Sequence, residues 1–598
     1  MNANLIVYNG KFEGFGSFGK NITAAAIKDD RFYKFGKDND IKKLADKNST
    51  LIDLKGRTVI PGLNDSHIHL IRGGLSFNME LRWDGIKSLS DALHMLKEQA
   101  QRTPPPQWVR VVGGWSEFQF KERRMPTLKE INDISEDTPV FVLHLYDSAL
   151  LNKAALKAIG YDKNTQEMPG TKIERDREGN PTGMFIAHPN AIILYSALAM
   201  GPKLDENSQI NSTLHFMREL NRLGVTSICD AGGGFQRYPD DYKIIEKLNN
   251  EKKLTVRIAY NLFTQRPNEE LADFQQWTKT TKYAQGNDYY RHNGAGEMLV
   301  FSAADFEDFL QPRPDLPSHM EAQLEPVVQL LAKNNWPFRL HATYDESIKR
   351  ALNVYEKINR ETSIEKLHWF FDHAETISDE SIERVKNLGG GIAIQNRMAF
   401  QGEYFIERYG KEQTLRTPPI KKILEAGIPV GLGTDATRVS SYNPWLCLYW
   451  LTVGKSVGGA KLYDESNILS REKALELYTR GSAWFSNESD KKGSFIENQL
   501  ADFSVLSKNY FTVPDEEIKE IYSTLTVLGG KVVHASDEFS TLNPPLPEIS
   551  PDWSPIKFYG TYGENKVIVA HHTRHQQHDI LHYIYAQDHH RFSCLCWV

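Results

Sequence analysis

Six side chains carry the chemistry this sequence offers. His67 and His69 stand two residues apart in Ile60-Pro61-Gly62-Leu63-Asn64-Asp65-Ser66-His67-Ile68-His69-Leu70. In a strand, a period of two puts both imidazoles on one face, with Ile68 turned into the packing. Two such rings can share a metal ion. The spacing alone is short and recurs by chance, so the argument needs ligands downstream. His341, His373 and Asp435 supply them, each at or just beyond the end of an apolar run. Four imidazoles hold one or two borderline divalent ions, zinc foremost, and Asp435 serves as ligand and as proton carrier. The expected chemistry is attack on a carbonyl by metal-activated water, with Asp435 taking the water proton and returning it to the leaving group. Glu297, in Gly294-Ala295-Gly296-Glu297-Met298, is a further carboxylate ligand able to bridge two cations; Asp305 and Glu307 are less specific acidic alternatives.

These residues lie hundreds of positions apart, and only a repeating architecture brings them together. From residue 208 the chain alternates helical stretches with short apolar runs. The runs include 224–230, 254–261, 298–301, 338–341, 367–371, 391–395 and 428–435. Alternation of this kind builds a parallel sheet, and its length suits a β/α barrel whose strands deliver their C-terminal ends to one mouth; an open doubly wound sheet is the other solution. No glycine-rich strand–turn–helix marks a dinucleotide site. Residues 4–57 hold several short strands that cannot bury their own faces, and 503–507 with 524–534 are placed to complete that sheet. The chain thus divides into 1–57 and 489–540 as the two parts of a small β domain, 58–488 as a barrel with insertions, and a histidine-rich tail at 541–598. Helices are predicted around 88–101, from Asn152, which is placed to cap its helix, and around 209–222.

Composition bounds the rest. The 598 residues are 40% hydrophobic and 25% charged, with a formal net charge of -6. That balance is globular and offers no basic field for nucleic acid. Cys229, Cys447, Cys594 and Cys596 are too sparse for a disulfide framework. The N-terminus lacks a basic stretch followed by an apolar core, and the apolar region near 184–200 is interrupted by His188, Pro189 and Asn190. A cytoplasmic enzyme without membrane contact is the expectation, with self-association into a homo-oligomer left open. In the tail, His571, His572, His575, His578, His582, His589 and His590 precede the last two cysteines, a run that suits soft metals, a weakly ordered extension or an altered reading frame equally.

The segment Ile60–Leu70 resembles the opening motif of the metal-dependent amidohydrolase superfamily. Leu432-Gly433-Thr434-Asp435, and 493–503 with Asp502, extend the likeness. The span 4–535 is similar to the family-3 branch, which includes N-substituted formamide deformylases. The resemblance implies a TIM-like β/α barrel with a small β-sandwich domain built from both chain ends. It also implies His67, His69, His341 and His373 as metal ligands and Asp435 as the catalytic aspartate. Three departures stand out. Leu145-Tyr146-Asp147 replaces the branch's Asp-Gly-His before Asn152; Glu297 sits where many members have a lysine-centred strand; and His341-Ala342-Thr343-Tyr344-Asp345 replaces His-Ala-Ile-Gly-Asp, leaving Asp345 as a candidate to orient His341. The expected reaction is hydrolysis of a non-peptide C–N bond in an amide-like small molecule, an N-substituted amide or formamide. A deaminase or isomerase on the same metal scaffold, and a metal-containing binding protein without turnover, are the alternatives. For substrate contact, Trp115, Tyr146, Gln395, Arg397 and Arg438 are the candidates, the arginines for an anionic group. Phe118, Phe120, Trp369 and Phe370 could add an apolar wall.

Overall fold

The computed structural model describes residues 3–14, 22–167, 171–187, 191–234, 236–306, 308–313 and 315–563. Glu307, His188–Asn190 and the histidine run of the tail with Cys594 and Cys596 lie outside the described residues. Eight parallel strands position the site: β1 (Leu63–Ile68), β2 (Val225–Asp230), β3 (Arg257–Leu262), β4 (Tyr290–Ala295), β5 (Arg339–Ala342), β6 (Phe370–His373), β7 (Gly391–Gln395) and β8 (Val430–Gly433). They form two four-stranded sheets, ordered β4-β3-β2-β1 and β5-β6-β7-β8. The sheets are joined at both edges. Ala295 N–H donates to Pro337 O (2.9 Å) and His341 N–H to Glu297 O (2.9 Å) at one seam; at the other, Asp435 N–H donates to His67 O (2.8 Å) and His69 N–H to Ala436 O (2.9 Å). The result is a TIM-barrel-like ring rather than an open sheet. Close approach at the second seam needs Gly433, where a Cβ would stand 2.6 Å from His67 N.

The helices between strands are of the expected kind. In Asp345–Glu361, Ile348, Ala351, Leu352, Tyr355 and Ile358 are buried at three- and four-residue spacing. Glu206–Arg222 is capped by Asp205, and Asn152 caps Lys153–Ala158 through Ala155 N–H, as its type and place predict. The fourth strand differs from expectation: the apolar run 298–301 follows the strand, and the strand itself is the polar 290–295. Its polar groups are met by a distant segment, since Asn293 donates to Phe485 O (3.0 Å) and Arg291 pairs with Glu488 (3.3 Å).

The two chain ends build mixed sheets beside the ring. One runs Arg31–Gly36, Ala24–Lys28, Leu5–Tyr8, Thr50–Asp53; the other runs Lys11–Phe12, Thr58–Pro61, Phe503–Leu506, Ser523–Leu528, Lys531–Ala535. They share one core containing Val7, Ile27, Phe32, Val59, Phe503 and Leu525. Thr58–Pro61 pairs with this sheet through Phe503–Val505, so the chain enters the ring only after Gly62. A buried fork ties sheet to ring: Arg257 Nε and Nη2 donate to Asp502 Oδ2 (2.7 Å) and Oδ1 (3.0 Å). Asp502→Ala leaves a buried guanidinium without its partner and is expected to cost about 3–5 kcal/mol in denaturant unfolding.

A third sheet of six strands lies between β1 and β2 in sequence. It runs Thr171–Arg175, Pro181–Ala187, Ser148–Leu151, Val140–His144, Val109–Val111, Glu80–Leu81. The proline-rich stretch after residue 541 folds back on the body, where Pro547 O accepts from His215 and Ser550 O from Asn78. Among the described residues, no helix is long and apolar enough to cross a membrane, and Cys229 and Cys447 are buried free thiols.

Candidate metal centre

His67 is the last residue but one of β1 and His69 follows its end; His341 lies in β5, His373 closes β6, and Asp435 stands two residues past β8. Glu297 follows β4 by two residues. It is brought against β5 because Gly296 lets the backbone pass where a Cβ would stand 2.1 Å from Arg339 O. All six side chains are buried and meet at one end of the ring. Donor atoms of His67, His373 and Asp435, of His67, His69 and Glu297, and of Glu297, His341 and His373 lie within 4.8 Å of one another in each trio. The trios share members, so they surround one region.

The distances suit a cation. His69 Nε2 is 3.1 Å and His67 Nε2 3.4 Å from Asp435 Oδ1; His373 Nε2 is 3.8 Å from Asp435 Oδ2. Glu297 Oε2 faces His341 Nδ1 (3.3 Å), His67 Nε2 (3.5 Å) and His373 Nε2 (3.8 Å), while its Oε1 faces His69 Nε2 (3.7 Å). Two donors at tetrahedral angle, each about 2.1 Å from zinc, are themselves about 3.4 Å apart. His67 Nε2, His373 Nε2 and Asp435 Oδ2 are buried without a hydrogen-bond partner. Orphaned lone pairs at such depth are costly, and a shared cation satisfies all three. The donor set therefore fits a divalent metal.

Electrostatics agree. Burial lowers the His373 pKa to about 3, with His341 adding to the effect, so its ring is neutral and free to donate a lone pair. Burial opposes charge on Asp435, but His67, His69 and His373 outweigh it and hold the carboxyl well below the usual range. Glu297 is held low in the same way, burial being outweighed by His67 and His341. Burial also works against a proton on His67, yet Asp372, Glu297 and Asp435 raise its pKa to about 10. Anionic walls that favour a proton on an imidazole favour a metal cation in its place.

Two of the imidazoles are aimed from behind by hydrogen bonds to Nδ1. His69 Nδ1 bonds Gly232 O (2.5 Å), which turns Nε2 inward. His67 Nδ1 bonds Asp372 Oδ1 (2.9 Å), and Asp372 in turn accepts from Arg339 Nε (2.7 Å) and Nη2 (2.5 Å). Asp372 and Arg339 are the residues that sequence reasoning missed. The available signal was a pair of opposite charges within apolar strands, Arg339 two residues before His341 and Asp372 one before His373. Outer partners of this kind typically contribute tenfold to a hundredfold in metal affinity. Asp372→Asn, combined with Arg339→Met so that no lone guanidinium is buried, is expected to weaken metal by about 10–100-fold in chelator competition.

The remaining sequence candidates separate by place. Asp345 does not orient His341: its carboxylate accepts from Ser378 N–H (2.9 Å) and pairs with Lys349 (3.1 Å) at a helix start. Asp305 takes that position instead, 3.3 Å from His341 Nε2 and bonded to Thr343 N–H. Gln395 Oε1 accepts from His373 N–H (2.9 Å), leaving its Nε2 without a partner. Tyr146 lies beside Tyr195 and Phe306, and the Phe306 ring lies 3.9 Å from the His341 ring, centre to centre and tilted by 38°. Arg397 is committed to Thr343 (3.0 Å) and Glu375 (3.3 Å) rather than free for an anion. Trp115 donates to Leu143 O and packs on Trp83 and Phe120 in the core of the six-stranded sheet. Trp369 likewise donates into the core, to Leu388 O, and Phe370 packs on Phe485 inside the ring.

Comparison with known proteins places this arrangement. A family described as the amidohydrolase family matches residues 50–534. The putative amidohydrolase YtcJ of Bacillus subtilis (strain 168) is 24% identical over 498 residues, covering 81% of this chain and 90% of that protein. The N-substituted formamide deformylase of Arthrobacter pascens is 22% identical over 521 residues, covering 85% and 94%. Among solved structures, an uncharacterized metal-dependent hydrolase from Pyrococcus horikoshii OT3 superposes with a TM-score of 0.61 at 19% identity, covering 86% of this chain and 99% of that one. Atrazine chlorohydrolase TrzN from Arthrobacter aurescens TC1, complexed with zinc, gives 0.51 at 14% identity, covering 91% and 97%. At these identities the structures speak to the fold.

Proposed function

The chain belongs to the amidohydrolase family, and from that premise we propose that it hydrolyses the C–N bond of an N-substituted amide or formamide. The observation that carries this reading is the convergence of His67, His69, Glu297, His341, His373 and Asp435 on one buried point with unpartnered lone pairs aimed into it. We assign these six as ligands of one or two divalent ions, with zinc preferred by a set of imidazoles and carboxylates. When bound, such an ion polarises the carbonyl and lowers the pKa of water. Asp435 is ionised and carries the proton: it takes one from the attacking water and gives it to the leaving nitrogen. The C–O bond forms, the C–N bond breaks, and carboxylate and amine separate. The name of the Arthrobacter pascens relative supports the formamide side of this assignment.

The test is elemental analysis of the purified protein together with a panel of N-substituted formamides and amides. Release of amine and formate or carboxylate in proportion to bound metal is the expected result. Ammonia or a rearranged product would move the assignment to a deaminase or isomerase. Tight binding without turnover in metal-replete protein would make it a binding protein.

A further inference from the structure

Arg72 stands three residues beyond His69 and Arg438 three beyond Asp435, so two of the strand ends that carry the metal-facing side chains also carry a guanidinium. Both arginines are half-buried. The Arg438 guanidinium stacks 4.6 Å from the centre of the Tyr195 ring. Tyr195 meets Tyr146 at 6.2 Å, Tyr146 meets Phe306 at 6.3 Å, and Phe306 meets His341 at 3.9 Å. A run of rings thus leads from Arg438 to the metal-facing imidazoles. Arg72 reaches over Gly233, where a Cβ would stand 2.6 Å from its Nη1. The neighbouring Gly232 gives the carbonyl that holds His69.

These two arginines differ from the others around the mouth. Arg339 is paired with Asp372, Arg397 with Glu375 and Arg82 with Glu80. No carboxylate pairs with Arg72 or Arg438 among the described residues, and Arg72 Nε and Arg438 Nη1 are buried without a partner. Burial and then the charge of Arg72 pull the Arg438 pKa down to about 9, so the Arg438 guanidinium feels that of Arg72. Two like charges in partial burial, neither with a carboxylate at ion-pair distance, are relieved by an arriving anion. A planar carboxylate matches the guanidinium fork.

We propose that the substrate is an anionic amide, in its simplest form an N-acyl amino acid, whose carboxylate is held by Arg72 and Arg438 while its apolar part lies on Tyr195 and Tyr146. This rests on the C–N hydrolase reading given above. The test is isothermal titration of the metal-loaded protein with N-acetylphenylalanine and with N-phenethylacetamide, the same molecule without its carboxylate. The acid is expected to bind about tenfold to a hundredfold more tightly, the range of a charge-assisted hydrogen bond. In the double variant R72Q/R438Q the ratio should fall to near one. Equal binding in the unsubstituted protein overturns the proposal. So does a ratio that survives in the double variant, because the metal and not the arginines would then hold the carboxylate. Should the double variant fail to fold, R438K replaces it: a lowered ratio supports the fork, and an unchanged one overturns it. Turnover is scored separately by amine release. Its absence on both compounds counts against C–N hydrolysis, while the binding ratio still judges the arginines.

Discussion

Asp435→Asn is expected to lower kcat by about a hundredfold to ten-thousandfold, the range of a positioned general acid–base group. The substitution keeps the side chain's shape and removes its capacity to take a proton. Shape matters here because Asp435 is buried in a left-handed backbone conformation (φ 55°), held by its N–H on His67 O (2.8 Å). Its carboxylate bonds His69 Nε2 (3.1 Å) and stands near His67 and His373. Two roles, ligand and proton carrier, fall on one side chain, and a single rate measurement cannot separate them. Metal content can. A variant that retains its metal and its KM while losing kcat has lost the proton carrier. One that loses metal and kcat together has lost a ligand. Full activity would remove Asp435 from the mechanism altogether.

How far the sequence alone reaches is clear from particular residues. His67 and His69 were legible because strand periodicity is local: two positions on one face need no knowledge of anything else. Asp435 was legible because it ends an apolar run, and such ends gather at one mouth of a parallel ring. Strand β4 was not legible. Its residues Arg291 and Asn293 are polar and find their strand partners only in Phe485, Ser486 and Glu488, some 190 positions later, while His292 bonds Lys282 O. Asp372 was hidden for the same reason, its partner His67 being 305 positions away. Asp345 is ambiguous in sequence because a helix-start aspartate and an imidazole partner look alike there, and only the fold brings Asp305 to His341 and Ser378 to Asp345. The prolines after residue 541 fall in what the sequence marks only as a histidine-rich tail. They present carbonyls to the body, Pro547 O accepting from His215 and Pro544 O from Arg218, a role that proline keeps although it lacks an N–H.

Glu297→Gln should weaken metal binding by more than about a hundredfold, beyond the range for partners that touch only the ligands. The argument rests on how its two oxygens are divided. Oε2 faces His67, His341 and His373, and Oε1 faces His69. A carboxylate placed this way spans both sides of the cluster, which is what a bridge between two cations requires; its negative charge offsets their repulsion. Glutamine keeps one oxygen acceptor and turns the other position into an N–H donor, which no cation can use. Removing metal from the unsubstituted protein with a chelator is expected to abolish hydrolysis and lower the melting temperature, and returning zinc should restore both, because an ion that binds only the folded chain stabilises it by mass action. In the Gln variant that restoration should need far more zinc. Elemental analysis then decides between bridge and simple ligand. A drop from two ions to one per chain, with hydrolysis lost, marks a bridge; a single ion in both proteins marks one shared site; and an unchanged affinity would take Glu297 out of the ligand set.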